Sequence, residues 1–370
     1  MHVYFRMAQL RSTPLLPMLR HLECPDISQG DFLISGVCLF LSPSLQTLEF
    51  FKITSVEDKL TGTFLHTLWN EGAQLDTIAL RGVGLSPGTL ELILNFNNLR
   101  CLELTGMGPA LELEWIKKLG TKARLADLAL DFTNSSIVTI DEDIGFKDLK
   151  SLMITAPLAF TKSLLPYIAT SSLERIVAAT PIDVQAERVS FISDVVERWG
   201  STLRDFSLVH LQTSEGIEEI QMATIAPLIP LKQLTGFRIE GYYIDLTDDN
   251  LRVMCSAWPN LNKLLLPYLP AERTRPTIKS LGIIAELCPH LHHARIPLDT
   301  SEIPNFVPPP RDPSSALIRT QAVITPPPPN PPMEVEVSTG VNEPLSADDD
   351  DSTSSSTATG VQPYATSSTS

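Results

Sequence analysis

The chain has 370 residues, 43% of them hydrophobic and only 6% aromatic, and carries a formal net charge of −15. This is enough apolar material for a large core of aliphatic side chains, and the acidic balance argues against a nucleic-acid partner, because phosphate binding calls for clustered lysine and arginine. Five cysteines, Cys24, Cys38, Cys101, Cys255 and Cys288, are odd in number, widely spaced and free of any C-x-x-C pair. They predict no disulfide framework and a reducing compartment, cytoplasm or nucleus.

The first residues, MHVYFRMAQLRS, lack the apolar run of a secretory signal. Val3, Tyr4, Phe5 and Met7 stand there without a polar cap, so a further segment is expected upstream to cover the end of the core. FLISGVCLFL, residues 32 to 41, is too short to cross a membrane and reads as a buried helix.

NLRCLEL (Asn98 to Leu104) spaces Leu99, Leu102 and Leu104 three and then two residues apart. The same L-x-x-L-x-L pattern recurs eleven times, from Leu19, Leu45, Leu75, Leu99, Leu125, Leu149, Leu173, Leu203, Leu234, Leu261 and Leu291, at steps of 24 to 31 residues. The last two apolar residues of each unit alternate along a short strand and face the same way, while the first packs beneath the turn entering that strand. Each unit has one apolar face that it buries only by stacking on its neighbours, the mark of a leucine-rich-repeat architecture. The predicted fold is therefore an α/β leucine-rich-repeat solenoid over residues 1–303, a horseshoe-like arc with parallel strands on the concave side and helices on the convex side.

Helical stretches separate the strands. Ser86 to Asn98 begins with Ser as N-cap and Pro at the first helical position, followed by Leu90, Ile93, Leu94 and Asn97 on one face. Asp183 to Gly200 places Val189, Ile192, Val196 and Trp199 on one stripe and stops at glycine. Thr247 precedes an acidic first turn and then Leu251, Met254 and Trp258; TIKSLGIIAELCPH carries Ile278, Leu281, Ile284 and Leu287.

From Pro304 onward the composition changes. Thirteen of the thirty prolines fall between Pro304 and Pro363, and two arginines face eight acidic residues, so this tail holds −6 of the net charge. Residues 304–370 read as a disordered Pro/Ser/Thr-rich acidic tail. Within it Thr325 to Pro332 has polyproline II character, and Ser346 lies before four aspartates in a context suited to acid-directed kinases.

The phrases TPLLPMLRHLEC, LFLSPSLQTLEF, WPNLNKLLL and CPHLHHARI resemble the leucine-rich-repeat part of F-box proteins, especially the large divergent set of mushroom-forming (basidiomycete) fungi. The resemblance covers roughly Leu10 to Leu298. It implies a substrate receptor of a cullin–RING (SCF-type) ubiquitin ligase, with the repeats holding the substrate and an F-box holding the ligase adaptor. The alternative is a stand-alone leucine-rich-repeat scaffold or inhibitor with no link to ubiquitination. The F-box itself is absent from this chain, so adaptor binding is expected only if one exists upstream. The chain also lacks the Asn or Cys that many such repeats carry three residues past the last strand leucine; Ile53, Val83, Met107, Leu211 and Leu269 stand there. Apolar packing is expected to replace that polar ladder.

No P-loop, nucleophile elbow, H-E-x-x-H or G-x-G-x-x-G is found, so neither catalysis nor a cofactor is expected. Asp205 and Ser207 share a strand face while His210 points away, which argues against a triad. Cys288, His290, His292 and His293 lie within six residues, but the three histidines read as ordinary surface residues around a core Leu291, and no metal is expected there. The predicted site is the concave strand face, binding a protein. In the first six units its charged positions are Glu23, Glu49, Arg81, Glu103, Asp127 and Asp131, a sum of −4; in the last five they are Arg175, Asp205, Arg238, Glu240, Lys263 and Arg295, a sum of +2. Phe51, Met153, Val209, Leu265 and Tyr242 or Tyr243 are candidate apolar anchors on this polarised surface.

Overall fold

The second apolar residue of every unit lies on a strand, the third does so in all but the tenth, where Leu266 falls just past the strand end, and these strands pair side by side in chain order. The computed structural model describes residues 15–25, 37–54, 57–82, 85–106, 113–122, 124–132, 145–181, 183–211, 219–267, 275–299 and 334–338. Met1–Thr339 form one unit; a second, Gly340–Ser370, lies outside the described residues. The strands are β1 (His21–Cys24), β2 (Thr47–Ile53), β3 (Thr77–Gly82), β4 (Cys101–Thr105), β5 (Asp127–Asp131), β6 (Ser151–Thr155), β7 (Arg175–Thr180), β8 (Asp205–His210), β9 (Glu219–Ile220), β10 (Gly236–Glu240), β11 (Tyr243–Ile244), β12 (Lys263–Leu265), β13 (His293–Pro297) and β14 (Glu334–Ser338). All but β9 and β11, which pair with each other, form one parallel sheet in the order β1-β2-β3-β4-β5-β6-β7-β8-β10-β12-β13-β14. Eleven of these strands are the eleven sequence units. The twelfth, β14, sets Glu334 beside His293 and Glu336 beside Arg295, a strand that the composition of the tail gives no sign of. The predicted helix at 32 to 41 falls largely outside the described residues; Cys38–Phe40 is a 3-10 turn.

The hybrid spacing has a backbone cause. The carbonyl of the residue after each first leucine accepts two N–H groups from the next unit. Asp76 O accepts from Arg100 N at 2.8 Å and Cys101 N at 2.9 Å, and Arg100 O accepts from Ala126 N at 2.8 Å and Asp127 N at 3.0 Å. The same doubled bond joins every consecutive pair of units from Arg20 O to Asn262 O. The two residues between the first and second leucine thus form a turn held mainly by main chain, joined at one junction by the Thr235 hydroxyl donating to Arg204 O at 3.1 Å, and their side chains vary from unit to unit. The strand leucines then stack in columns, Ile78 beside Leu102 beside Leu128 and Leu80 beside Leu104 beside Leu130. These columns and the inner faces of the helices form a single buried apolar cluster from Val37 to Leu298.

Polar rungs do cross between units, most of them on the side where the chain enters each strand, and Trp115 reaches across from the first turn of the helix Leu113–Lys122. Trp115, Trp199 and Trp258 donate their indole N–H to Leu90 O at 3.0 Å, Thr170 O at 2.8 Å and Leu228 O at 3.1 Å. Thr202 and Asn260 reach Leu173 O and Lys232 O at 2.7 and 3.2 Å, and Asn98 donates to Gln74 Oε1 at 2.6 Å. Of the positions past the strand, Ile53 is buried and Leu211 exposed; Val83, Met107 and Leu269 lie outside the described residues. Apolar packing is therefore not the only replacement for the missing ladder: it is joined by donors on the opposite turn.

The helices follow their predicted signals with two shifts. Ser86 caps Pro87–Ile93 by accepting from Thr89 N at 3.3 Å. That helix stops short of Asn98, because turns occupy Leu94 to Asn98. Gln185–Trp199 buries Arg188, Phe191, Ile192, Val195 and Trp199, one position round from the expected stripe, and Val189 and Val196 sit at its margin. Arg188 enters the core because partners await it there. Its Nη1 donates to Asp183 Oδ1 at 3.2 Å, Tyr242 donates its hydroxyl to Asp183 Oδ2 at 2.6 Å, and the guanidinium lies 5.2 Å from the centre of the Tyr242 ring.

Thr247 and Asn250 close a capping box on Asp248–Ala257. Asp248 in turn accepts from Thr277 N at 2.8 Å, from Thr277 Oγ1 at 2.7 Å and from the Ser280 hydroxyl, tying this helix to the start of Lys279–Leu287. Burial pushes the Asp248 carboxyl up, but the hydrogen bonds from Ser280 and Thr277 and the charge of Lys279 outweigh it and hold the group below its ordinary value. A depressed carboxyl stabilises the fold above its unfolded pKa, about 3.9, and that stabilisation is lost as pH falls through the folded value. Asp248→Asn is therefore expected to lower stability by about 1 kcal/mol at neutral pH. Its melting curve should merge with that of the parent under strongly acid conditions. Equal melting temperatures already at neutral pH would exclude this role.

Candidate functional site

With the leucine columns and helices on one side of the sheet, the alternate strand residues form the other, outward face. Register places them in columns. One runs through Cys101, Asp127, Ser151, Arg175 and Asp205 on β4 to β8; the next runs through Glu103, Ala129, Met153, Val177 and Ser207.

At the early strands, Arg81 is clamped. Its guanidinium pairs with both oxygens of Glu103, Nη2 to Oε2 at 2.8 Å, and lies 4.5 Å from the centre of the Phe51 ring. Phe51 is placed there by a bulge between Phe50 and Ile53, with Lys52 at φ 57°. Gly82 permits the bulge, since a Cβ there would lie 2.1 Å from Ile53 O. Glu49 and Asp127 have no ion-pair partner among the described residues. Burial first, and then the carboxylates of Asp127, Glu103, Glu49 and Asp76, push the Cys101 thiol up to about 11. The neutral thiol is a poor nucleophile, and it registers the negative potential of this end of the face.

At the late strands the order of charge reverses. Arg175 lies 3.9 Å from Asp205, whose carboxylate sits over Gly236; a Cβ on that glycine would meet it at 2.8 Å. Glu240 pairs with Arg238 and, at 3.2 Å, with Arg295. Lys263 lies in register with Gly236 on one side and His293 on the other and has no ion-pair partner among the described residues.

Between the two ends is an apolar stretch of Ala129, Met153, Val177, Ala179 and Val209. A groove of about 220 Å³ crosses it over β4 to β7, with Glu103 and Asp127 on one side and Arg175 on the other.

The structure thus brings Glu49, Phe51, Arg81, Glu103, Asp127, Arg175, Arg238, Glu240, Lys263 and Arg295 onto one surface. Three other candidates lie differently. Asp131 is 9% exposed and spends its carboxylate on Gly106 N at 2.9 Å. Leu265 is 5% exposed. Tyr242 is 1% exposed and holds Asp183, with Tyr243 only partly buried beside it. Residue alternation alone missed the seat at Gly236 and the bulge at Lys52; a glycine at a strand start was the one visible sign of the first. His210 packs against Tyr242, ring centres 5.1 Å apart and tilted by 34°, on the opposite side of β8 from Asp205 and Ser207. His290 and His292 are exposed, and His293 lies on the outward face. Among the described residues no group of three or more His, Cys, Asp or Glu side chains is gathered for a metal, and no helix is long and apolar enough to cross a membrane.

No protein-family model matches the chain, and no curated protein matches it.

Proposed function

We propose that this protein recognises another protein on the outward face of its sheet and performs no catalysis. The observation that carries the reading is the order of that face from β2 to β13: mainly acidic, then apolar, then mainly basic, before the acidic residues of β14. A face so ordered fixes the register of a complementary partner and rejects one of the opposite polarity. On this reading the stacked units are leucine-rich repeats, with the strands on the concave side, and the protein works in the cytoplasm or nucleus. The sequence resemblance to the repeat part of F-box proteins supports a more specific role, substrate receptor of a cullin–RING ubiquitin ligase. Adaptor contact would then be made by an F-box upstream of this chain. The second reading is a scaffold or inhibitor without a ligase.

Arg238→Glu combined with Lys263→Glu is expected to weaken a partner by roughly 1–3 kcal/mol. The check is affinity purification from the source cell followed by quantitative mass spectrometry. Proteins recovered with the parent and lost with the double variant are partners of the face; identical sets sink the reading. Stoichiometric ligase adaptor and cullin in the parent sample support the receptor role, and their absence leaves the scaffold.

A further inference from the structure

We infer that the groove across β4 to β7 takes a linear segment of a partner protein bearing a basic, an aliphatic and an acidic residue in line, with the aliphatic side chain seated on Met153. This rests on the outward face being a protein-binding surface and narrows it to one place and one ligand chemistry.

Neighbouring strands lie about 4.8 Å apart, so Asp127 on β5 and Arg175 on β7 are separated by about 10 Å, and Glu103 on β4 stands about 14 Å from the rank of Arg175. The floor between them is apolar: Ala129, Met153 and Val177 are adjacent in one column. Ser151, the residue between Asp127 and Arg175 in their own column, is small enough to leave the groove open. Both walls have binding capacity to spare. Asp127 has no ion-pair partner among the described residues. The Arg175 side chain is 51% exposed and its contact to Asp205 is long, at 3.9 Å, so most of its donors remain available. Glu103 shares its charge with Arg81 and shapes the acidic wall more than it binds.

An extended segment presents alternate side chains to one side at about 6.6 Å intervals, so residues i, i+2 and i+4 span about 13 Å. That length lets a lysine or arginine meet Asp127 and Glu103, an aliphatic residue cover Met153, and a carboxylate reach Arg175. A segment charged with one sign only would be attracted at one wall and repelled at the other. Either chain direction serves, because the walls read the order of charge and not the direction of the main chain.

The test is selection of phage-displayed linear peptides on the purified full chain. The expected winners carry a basic and an acidic residue four apart, with an aliphatic residue midway. A synthetic peptide with Lys-Ser-Leu-Ser-Glu at its centre should bind at least tenfold more weakly to Arg175→Glu in fluorescence polarisation. Selection on Arg175→Glu should shift toward two basic flanks, and selection on Asp127→Lys toward two acidic ones. Both variants change partly or fully exposed side chains, and circular dichroism checks that they are folded. No enrichment, or winners indifferent to both variants, overturns the inference. Partners lost with Arg238→Glu and Lys263→Glu but unmoved by the groove variants would leave the wider binding face standing and remove only this groove.

Discussion

Replacing Arg188 with alanine is expected to destabilise the protein by about 3–5 kcal/mol, the usual penalty for breaking a buried ion pair from one side. The side chains of Arg188 and Asp183 are 1% and 0% exposed, so removing the guanidinium strands a carboxylate in the core, where among the described residues the Tyr242 hydroxyl is its other side-chain donor. Asp183→Ala should also be destabilising, because the buried guanidinium loses this carboxylate. Burial, followed by the nearby Asp183 charge, pushes the Tyr242 phenol well above its ordinary value, so it remains a donor across the working pH range and cannot offset the loss by ionising. The double replacement Asp183→Leu with Arg188→Met should recover most of the stability, because a well-packed apolar pair often matches a buried ionic one. Urea unfolding of the three variants decides. Single variants within about 1 kcal/mol of the parent would show that the pair is solvated.

Trp258→Ala is the second large effect, at about 3–5 kcal/mol for a large aromatic side chain removed from a tight core. Trp258 is fully buried, its ring 4.8 Å from that of Phe237, and Phe237 in turn stacks on Phe206 at 6.3 Å. Trp258→Phe separates the two contributions. It keeps the ring contact but removes the indole N–H from Leu228 O, which still accepts from Leu231 N at 3.0 Å, so the loss is that of one hydrogen bond, about 0.5–1.5 kcal/mol. Thermal unfolding should rank the parent above the phenylalanine variant, and both above alanine. A phenylalanine variant as stable as the parent would remove the hydrogen-bonded rung from the account.

The fold was legible wherever a rule needed only near neighbours. The three-then-two spacing foretold every strand from β1 to β13 in the main sheet, and Ser86 and Thr247 announced their helix starts. What stayed hidden depended on partners far along the chain. Arg188 looked like a solvent residue on a helix whose apolar stripe ran elsewhere; its place in the core is fixed by Tyr242, which meets Asp183 across 59 residues of sequence. Asp131 had the right strand parity for the outward face, yet its carboxylate turned to a main-chain N–H one unit earlier. Leu265 had the same parity but sits on a three-residue strand and is buried all the same. The family's polar ladder belongs where the chain leaves each strand, whereas Trp199 and Trp258 supply rungs where it enters and Trp115 supplies one from a helix start. The place of Trp199 and Trp258 just before the next unit was the signal, masked because tryptophan reads as core.

The doubled main-chain bond between units is chemically the same at each junction and involves no side chain. Lys150 O accepts from Glu174 N and Arg175 N just as Ala126 O accepts from Lys150 N and Ser151 N. One joint can therefore substitute for another. If the stretch from Leu149 to Ser172 were excised, Ala126 O would find Glu174 and Arg175 presenting the same two donors. Unit number is then a quantity that unequal recombination can change without inventing a new main-chain joint. A lineage built this way can lengthen or shorten its outward face one charge rank at a time, trying new partners while the scaffold that displays them stays the same.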